Sequence, residues 1–369
     1  MKLVSRLGIF IFFFSLSFSA HADAPPSLRQ PSLLGWMHGE PVGEQPGWTD
    51  STWVNFELSE ANVWSVPMTM KNNLSGSTYD YQTDYEQTSA ILEIGQGFGD
   101  FLGVSVVVPF GNRWGGFMDH IINGYHHTID NNYFERDGYA QYQTTTTLKT
   151  DGTQYFNPRP LQSISNIELK LKFWLLHWYG TQKGSCPCGL SFGSQTKFPT
   201  EDPVYGGTTG HIDQTAFVYL GIPLFSASAF WATASYSWLG ANPAIAGWPR
   251  FKSNIMYEGN FDIAFSDHWG LVFMARAESP FLDGKQLSFQ DSSTNPAQVA
   301  EDRMSSGWNS LVHWRGSEGL GFRYRADGGN QFQIMGVEDF GVGPYDDVGG
   351  FYSNNAPDFN IVMQLHTGF

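Results

Sequence analysis

Pro357-Asp-Phe-Asn-Ile-Val-Met-Gln-Leu-His-Thr-Gly-Phe369 closes the chain and decides its fold class. Counting back from the end, every second residue is Phe369, Thr367, Leu365, Met363, Ile361 and Phe359. Between them stand Gly368, His366, Gln364, Val362 and Asn360. Side chains alternate across a strand, so this stretch is a strand with one apolar and one mostly polar face. A wall strand that meets lipid on one side and a polar lumen on the other needs that alternation. Leu365, Thr367 and Phe369 form the expected assembly signal, presented to the barrel-assembly machinery during biogenesis.

The amino end fits export. Met1 to Arg6 is short and basic, Leu7 to Phe18 is apolar, and Ala20-His-Ala22 supplies small residues for signal-peptidase cleavage. Residues 1–22 are therefore expected to be a signal peptide. Residues 23–50 are expected to be an N-terminal periplasmic segment, and 51–369 an outer-membrane β-barrel. No cysteine follows the cleavage site to take a lipid.

After the leader, no apolar run is long enough for a transmembrane helix, and mean hydropathy is −0.26. Lipid admits only helices and closed barrels, because every backbone polar group must be paired. Forty-one glycines, 16% aromatic residues and 15% charged residues suit a barrel. A formal charge of −15 argues against nucleic acid as a partner.

Period-2 segments recur along the chain. In Ile164–Leu176, Ile167, Leu169, Leu171, Phe173 and Leu175 oppose Asn166, Glu168, Lys170, Lys172 and Trp174. In Lys252–Ser266, Ile255, Tyr257, Phe261, Ile263 and Phe265 oppose Asn254, Glu258, Asn260 and Asp262. Arg276 and Glu278 alternate with Phe273 and Ala275, and Arg323 and Arg325 with Leu320, Phe322 and Tyr324. With Trp53–Ala61, Thr88–Phe98, Phe101–Pro109, Gly189–Phe198, Gln214–Leu224, Ala227–Leu239, Gln331–Asp339 and the terminal strand, this makes an all-β antiparallel transmembrane barrel. About twelve strands of roughly 9–11 residues are expected. Short connections at Gly99-Asp100, Pro223–Ser226, Asp267-His268 and Asp327–Asn330 alternate with long ones near 62–87, 110–163, 199–213, 240–251, 279–318 and 340–357. Short periplasmic turns and long outer loops give that alternation.

The longest loop, 111–163, is expected to carry a short helix. Phe117, Ile121, Ile122 and Tyr125 are spaced for an apolar face that packs into the barrel mouth, with Asp119, His120, His126 and His127 facing water. The histidines lack the spacing of two metal ligands one turn apart, so no metal or cofactor is assigned. Cys186-Pro-Cys188 is a disulfide candidate in a turn.

Glu168, Lys170, Lys172, Glu258, Asp262, Arg276, Glu278, Arg323 and Arg325 should line the lumen. They are either a selectivity lining or a paired polar filling. The outer loops carry acids at Asp50, Glu57, Glu60, Asp80, Asp84, Glu86, Asp346 and Asp347, either solvated or bound to cations that bridge lipopolysaccharide. Ser310 with His313, and His366, are weighed for a lipid-hydrolase dyad, but no Gly-x-Ser-x-Gly elbow surrounds a serine, and His366 stands on the polar face of the final strand, as a lumen residue rather than a base. No catalytic residue is assigned. Passive or gated passage of a small solute leads. An outer-leaflet lipid-modifying enzyme, or a closed structural or adhesion barrel acting through its outer loops, stands as the alternative.

Gly115-Gly-Phe-Met-Asp119 with Tyr125-His126, Glu278-Ser-Pro-Phe-Leu-Asp283, Val337-Glu-Asp-Phe340 and the ending from Pro357 together resemble the Gram-negative family called domain of unknown function 3187. The resemblance implies an outer-membrane barrel and transfers no chemistry. Tyr125-His126 stands where the family usually has Trp-His, and Cys186-Pro-Cys188 departs from its pattern. A barrel of this kind should run at different positions on unheated and heated detergent gels. Identical migration with helical circular dichroism would rule it out.

Overall fold

Period-2 patterning becomes a wall of twelve antiparallel strands. They are β1 (Thr52–Trp64), β2 (Thr78–Phe98), β3 (Leu102–Trp114), β4 (Asn166–Tyr179), β5 (Pro187–Pro199) and β6 (Asp213–Pro223). There follow β7 (Ala229–Trp238), β8 (Asn254–Ala264), β9 (Trp269–Glu278), β10 (Arg315–Arg325), β11 (Gln331–Gly341) and β12 (Phe359–Gly368). The computed structural model describes Pro25, Leu28 and Arg29 near the amino end. Beyond them it describes 52–99, 101–128, 142, 144–150, 153–154, 162–164, 166–179, 187–201, 208–224, 228–240, 251–291, 293, 295, 299, 308–327, 330–341, 344–345, 348–349, 352–353 and 359–368.

Each strand pairs with the next, and β12 returns to β1 in a register running from Trp53↔Gly368 to Asn62↔Phe359. The barrel is closed, so no wall strand leaves an edge unpaired in lipid.

The two faces divide by chemistry. Ile94, Val106, Val218, Phe261, Leu320 and Phe322 stand on the outer face, each 43–57% exposed. The inward positions of the same strands are mostly polar and buried. Rings ring the belt at both ends: Phe98, Phe101, Phe265 and Trp269 beside the short turns, and Trp238, Tyr257 and Trp314 beside the long loops. Tyr257 and Trp314 stack at 6.3 Å. An apolar band between aromatic girdles around a polar interior is the inside-out arrangement of a membrane barrel.

Several outer connections continue the wall. β2 runs well past the belt, where Met68–Asn72 and Thr145–Thr150 pair on either side of it, and Leu287–Gln290 pairs with Met68–Asn72. Residues expected in the 62–87 loop are therefore largely strand. Met68, Met70, Tyr79, Tyr81, Leu148, Leu239, Phe251, Phe281, Leu282, Leu287, Trp308 and Leu311 form one buried cluster. Tyr79 and Tyr81 stand on the outer end of β2, and the other ten come from the connections after β1, β3, β7 and β9. Packing together from opposite sides of the wall, they roof the long-loop mouth.

The loop helix exists as α1 (Met118–Thr128), but its expected seat inside the mouth is corrected. On β1 and β2 the lipid-facing positions are the even-numbered ones, and Asn62 and Glu86 belong to that set. Asn62 donates to Asp119 at 2.9 Å, and Glu86 accepts the N–H of Phe117 at 2.7 Å, of Asp119 at 3.3 Å and of Met118. α1 thus lies against the outside of the wall, beyond the belt. Its packed face carries Met118, Ile122 and the buried Asp119, while Phe117 and Ile121 are exposed and His120 faces solvent. Helical spacing was read correctly. The contact face was misread, because a carboxylate at the first turn went to pair with Asn62 rather than to water. The side chains of Tyr125, His126 and His127 lie outside the described residues.

Glu86 caps this helix, and burial raises its pKa, opposed by the three N–H groups it accepts. Gly116 makes the turn at φ +56°, and a Cβ there would lie on the Glu86 carboxyl. A short helix, α2 (Trp308–Val312), adds Trp308 and Leu311 to the roof. Cys188 is disulfide-bonded, and Cys186 lies outside the described residues. The signal-peptide residues and Phe369 of the assembly signal also lie outside them; Leu365 and Thr367 sit on the lipid face of β12.

Val106 lies mid-wall, between Ile94 and Leu169. Val106→Arg is expected to cost about 2–4 kcal/mol of folding stability in bilayers. Urea titration in lipid vesicles, read by gel mobility, measures it.

Candidate functional site: the charged lumen

Eight of the nine expected lumen residues are buried inside the wall: Glu168, Lys170, Lys172, Glu258, Asp262, Arg276, Glu278 and Arg323. Arg325, at the short-turn end of β10, is only half-buried. The interior is organised as ion pairs between strands. Toward the roof, Arg276 Nε meets Glu278 Oε1 at 2.5 Å, and Arg315 Nε donates to Glu278 Oε2 at 2.9 Å. Glu258 faces Arg276 at 3.9 Å and accepts from Asn260 at 2.8 Å. Across the lumen, Lys197 pairs with Asp213 at 2.5 Å and donates to Thr209 at 2.6 Å. Lys170 lies 3.5 Å from Glu93, which also accepts from Ser105 at 2.6 Å.

Toward the short-turn end the pairing depends on a missing side chain. Arg323 on β10 grips Asp262 on β8, with Nε–Oδ2 at 2.6 Å and Nη2–Oδ1 at 2.9 Å. β9 runs between them. Its inward residue at that level is Gly270, where a Cβ would stand 2.6 Å from Arg323 Nη2 and 2.7 Å from Asp262 Oδ1. Glycine there lets two residues two strands apart meet.

Also near this end, Trp174, Cys188, Tyr219, Ala229 and Trp231 cluster inside the lumen. Lys172 Nζ sits 5.2 Å from the Trp174 ring and 5.9 Å from that of Tyr219. Cation–π attraction therefore helps hold this charge. His366 is buried on the inward face of β12, the lumen position its strand face implied, away from the outer wall where a lipid-hydrolase base would stand. Its two ring nitrogens and Trp231 Nε1 have no hydrogen-bond partner among the described residues. His313 is exposed beside α2. Glu57, read as a loop acid, is instead a buried lumen group that accepts from Gln364 at 3.4 Å.

The lumen also contains a residue the sequence placed elsewhere. Arg29 is fully buried and pairs with Glu168 at 2.6 Å, while Gln195 donates to the other Glu168 oxygen at 2.7 Å. Leu28 is buried against Met274, Met335, Val337 and Val362, and its carbonyl accepts from Arg276 Nη1. Leu28 and Arg29 thus sit inside the barrel rather than below it. No periodicity in 23–50 could have placed them. The available signal was the break in polar-in alternation at Met274, Met335, Val337 and Val362.

The model of the family described as "Protein of unknown function (DUF3187)" matches residues 39–241. The chain belongs to this family. That match takes in the Gly115–Asp119 and Tyr125-His126 motifs and ends before those at 278–283, 337–340 and 357–369. No curated protein matches the chain. Among solved structures, the COG4313 outer membrane channel from Pseudomonas putida F1 is 8% identical, covering 87% of this chain and 96% of its own, with a TM-score of 0.45. A Pseudomonas aeruginosa FadL homologue is 10% identical over 94% and 99%, with a TM-score of 0.36. The NanC porin is 8% identical over 84% and 98%, with a TM-score of 0.38. This DUF3187 member rests for its architecture on its own closed strand register.

Asp262→Ala would leave Arg323 buried without its counter-charge, a loss of about 3–5 kcal/mol. Gly270→Val should destabilise the barrel in the same direction by pushing the pair apart. Unfolding titrations of both variants in vesicles check this; an unchanged midpoint for Gly270→Val would mean the pair re-forms around the new side chain.

Proposed function

We propose that this DUF3187 barrel is a gated passage for a small polar solute across the outer membrane. The observation that carries the reading is the lumen lining. Charged groups of both signs run from Arg323 and Asp262 at the short-turn end to Glu278 and Arg315 at the roof, inside an apolar belt. Signs are balanced locally, so the lining favours neither cations nor anions strongly. The short-turn end faces the periplasm, and the long loops meet lipopolysaccharide. Export through the signal peptide at 1–22 and insertion by the barrel-assembly machinery belong to the same reading.

The roof supports a second reading, a closed barrel that acts through its outer loops. Twelve buried residues from β2 and four connections make a cover much larger than a loose rim would need. Conductance separates the two. Folded mature protein in a planar bilayer is expected to show discrete current steps. Replacing Lys172 with Glu should shift the reversal potential in a salt gradient toward cation preference. A silent bilayer from folded protein, both intact and lacking residues 24–50, would favour the closed barrel.

A further inference from the structure

We infer that Leu28 and Arg29 are a releasable plug docked on a seat built into the wall. The inference rests on the gated-passage reading and names the gate. The seat has three parts, each matched to one feature of the Leu28-Arg29 pair.

Glu168 supplies the first. One carboxylate oxygen takes the Arg29 guanidinium at 2.6 Å, and Gln195 fixes the other oxygen at 2.7 Å. Both members of the pair have 0% of their side chains exposed. Arg276 supplies the second part, donating Nη1 to the Leu28 backbone carbonyl, while Glu258 and Glu278 hold its guanidinium in place. The third is apolar. Met274 on β9, Met335 and Val337 on β11 and Val362 on β12 all point inward, where neighbouring inward positions carry Arg276, Gln333, Asp339 and Gln364. Four apolar side chains converging in a polar lumen have no lipid to meet. Leu28 is what they cover.

The span of the contacts makes this a plug rather than a wall decoration. Glu168 lies on β4 and Arg276 on β9, five strands apart in a ring of twelve, so the two residues bridge nearly opposite walls. The seat is also specific in chemistry: an apolar side chain, a backbone carbonyl and a cation in sequence. A ligand able to displace the plug would carry the same set, as an apolar-Arg peptide does.

Trypsin reads the docking without reference to transport, because Arg29 is a cleavage site. In folded full-length mature protein, cleavage after Arg29 should be slow. Glu168→Gln removes the counter-charge and should raise that rate at least about tenfold, a modest population shift toward the released state. Glu93→Gln changes a lumen carboxylate that does not touch the seat and should leave it unchanged. Glu168→Gln should also raise open probability in the bilayer, and Arg29→Gln should do the same without touching the wall. Gel mobility confirms that each variant is folded. Cleavage of the wild type after Arg29 as fast as in the urea-unfolded chain would overturn the docking. So would equal protection in wild type and Glu168→Gln. Faster cleavage with no current in any variant would leave the docking in place and defeat the passage reading instead.

Discussion

Closure of β12 onto β1 is the constraint on which everything else depends. In lipid an unpaired N–H or C=O has no water to turn to, so an open sheet of these strands would leave two polar edges in hydrocarbon. The register from Trp53↔Gly368 to Asn62↔Phe359 removes both edges at once. It also fixes parity. A slip of one residue would turn Asn360, Gln364 and His366 to lipid and Ile361, Met363 and Leu365 to the lumen. Parity at the closing seam therefore fixes which side chains of the last strand enter the lumen.

Once closed, the wall creates a second problem inside. Inward side chains cannot reach lipid, and charges held there must find partners or leave their groups desolvated. The solution is pairing across strands, and it is shaped as much by small residues as by charged ones. Arg323 reaches Asp262 only because Gly270 leaves the intervening position empty. Arg276 serves two carboxylates and one backbone carbonyl, so the network on the wall and the docking of Leu28 share a donor.

The wall was legible because period 2 is a local rule imposed by two contrasting solvents. Glu168, Lys170 and Lys172 had to face one way once Ile167, Leu169 and Leu171 faced the other. Arg325 fell short because it stands at the rim, where the lumen opens. Whatever depended on packing between distant elements stayed hidden. α1 was found by its spacing, yet which face it packed was decided by Asn62 and Glu86, more than thirty residues earlier for the second. The segments 68–72, 145–150 and 287–290 are strands only because they pair with one another or with β2. Arg29 is the extreme case. Its partner is 139 residues away, and its neighbours carry no pattern.

The packed outer loops and the docked Leu28-Arg29 pair differ in size, and the difference says which of them moves. The roof unites twelve buried side chains from β2 and four connections, and separating them would expose apolar surface at roughly 1.5–3 kcal/mol for each large residue. Opening it approaches unfolding the loops. At the seat, one leucine, one carbonyl and one guanidinium are held. Release uncovers Leu28 and the four wall side chains it packs on, five against the twelve of the roof, and the freed carboxylate of Glu168 regains water and keeps Gln195. Arg29 leaves on a chain already tethered to β1, so it loses no covalent anchor and its return is intramolecular. A closure that can cycle while the wall stays folded must be small, polar at its latch and tethered. The seat of Leu28 and Arg29 meets all three conditions, whereas the roof is tethered but neither small nor polar.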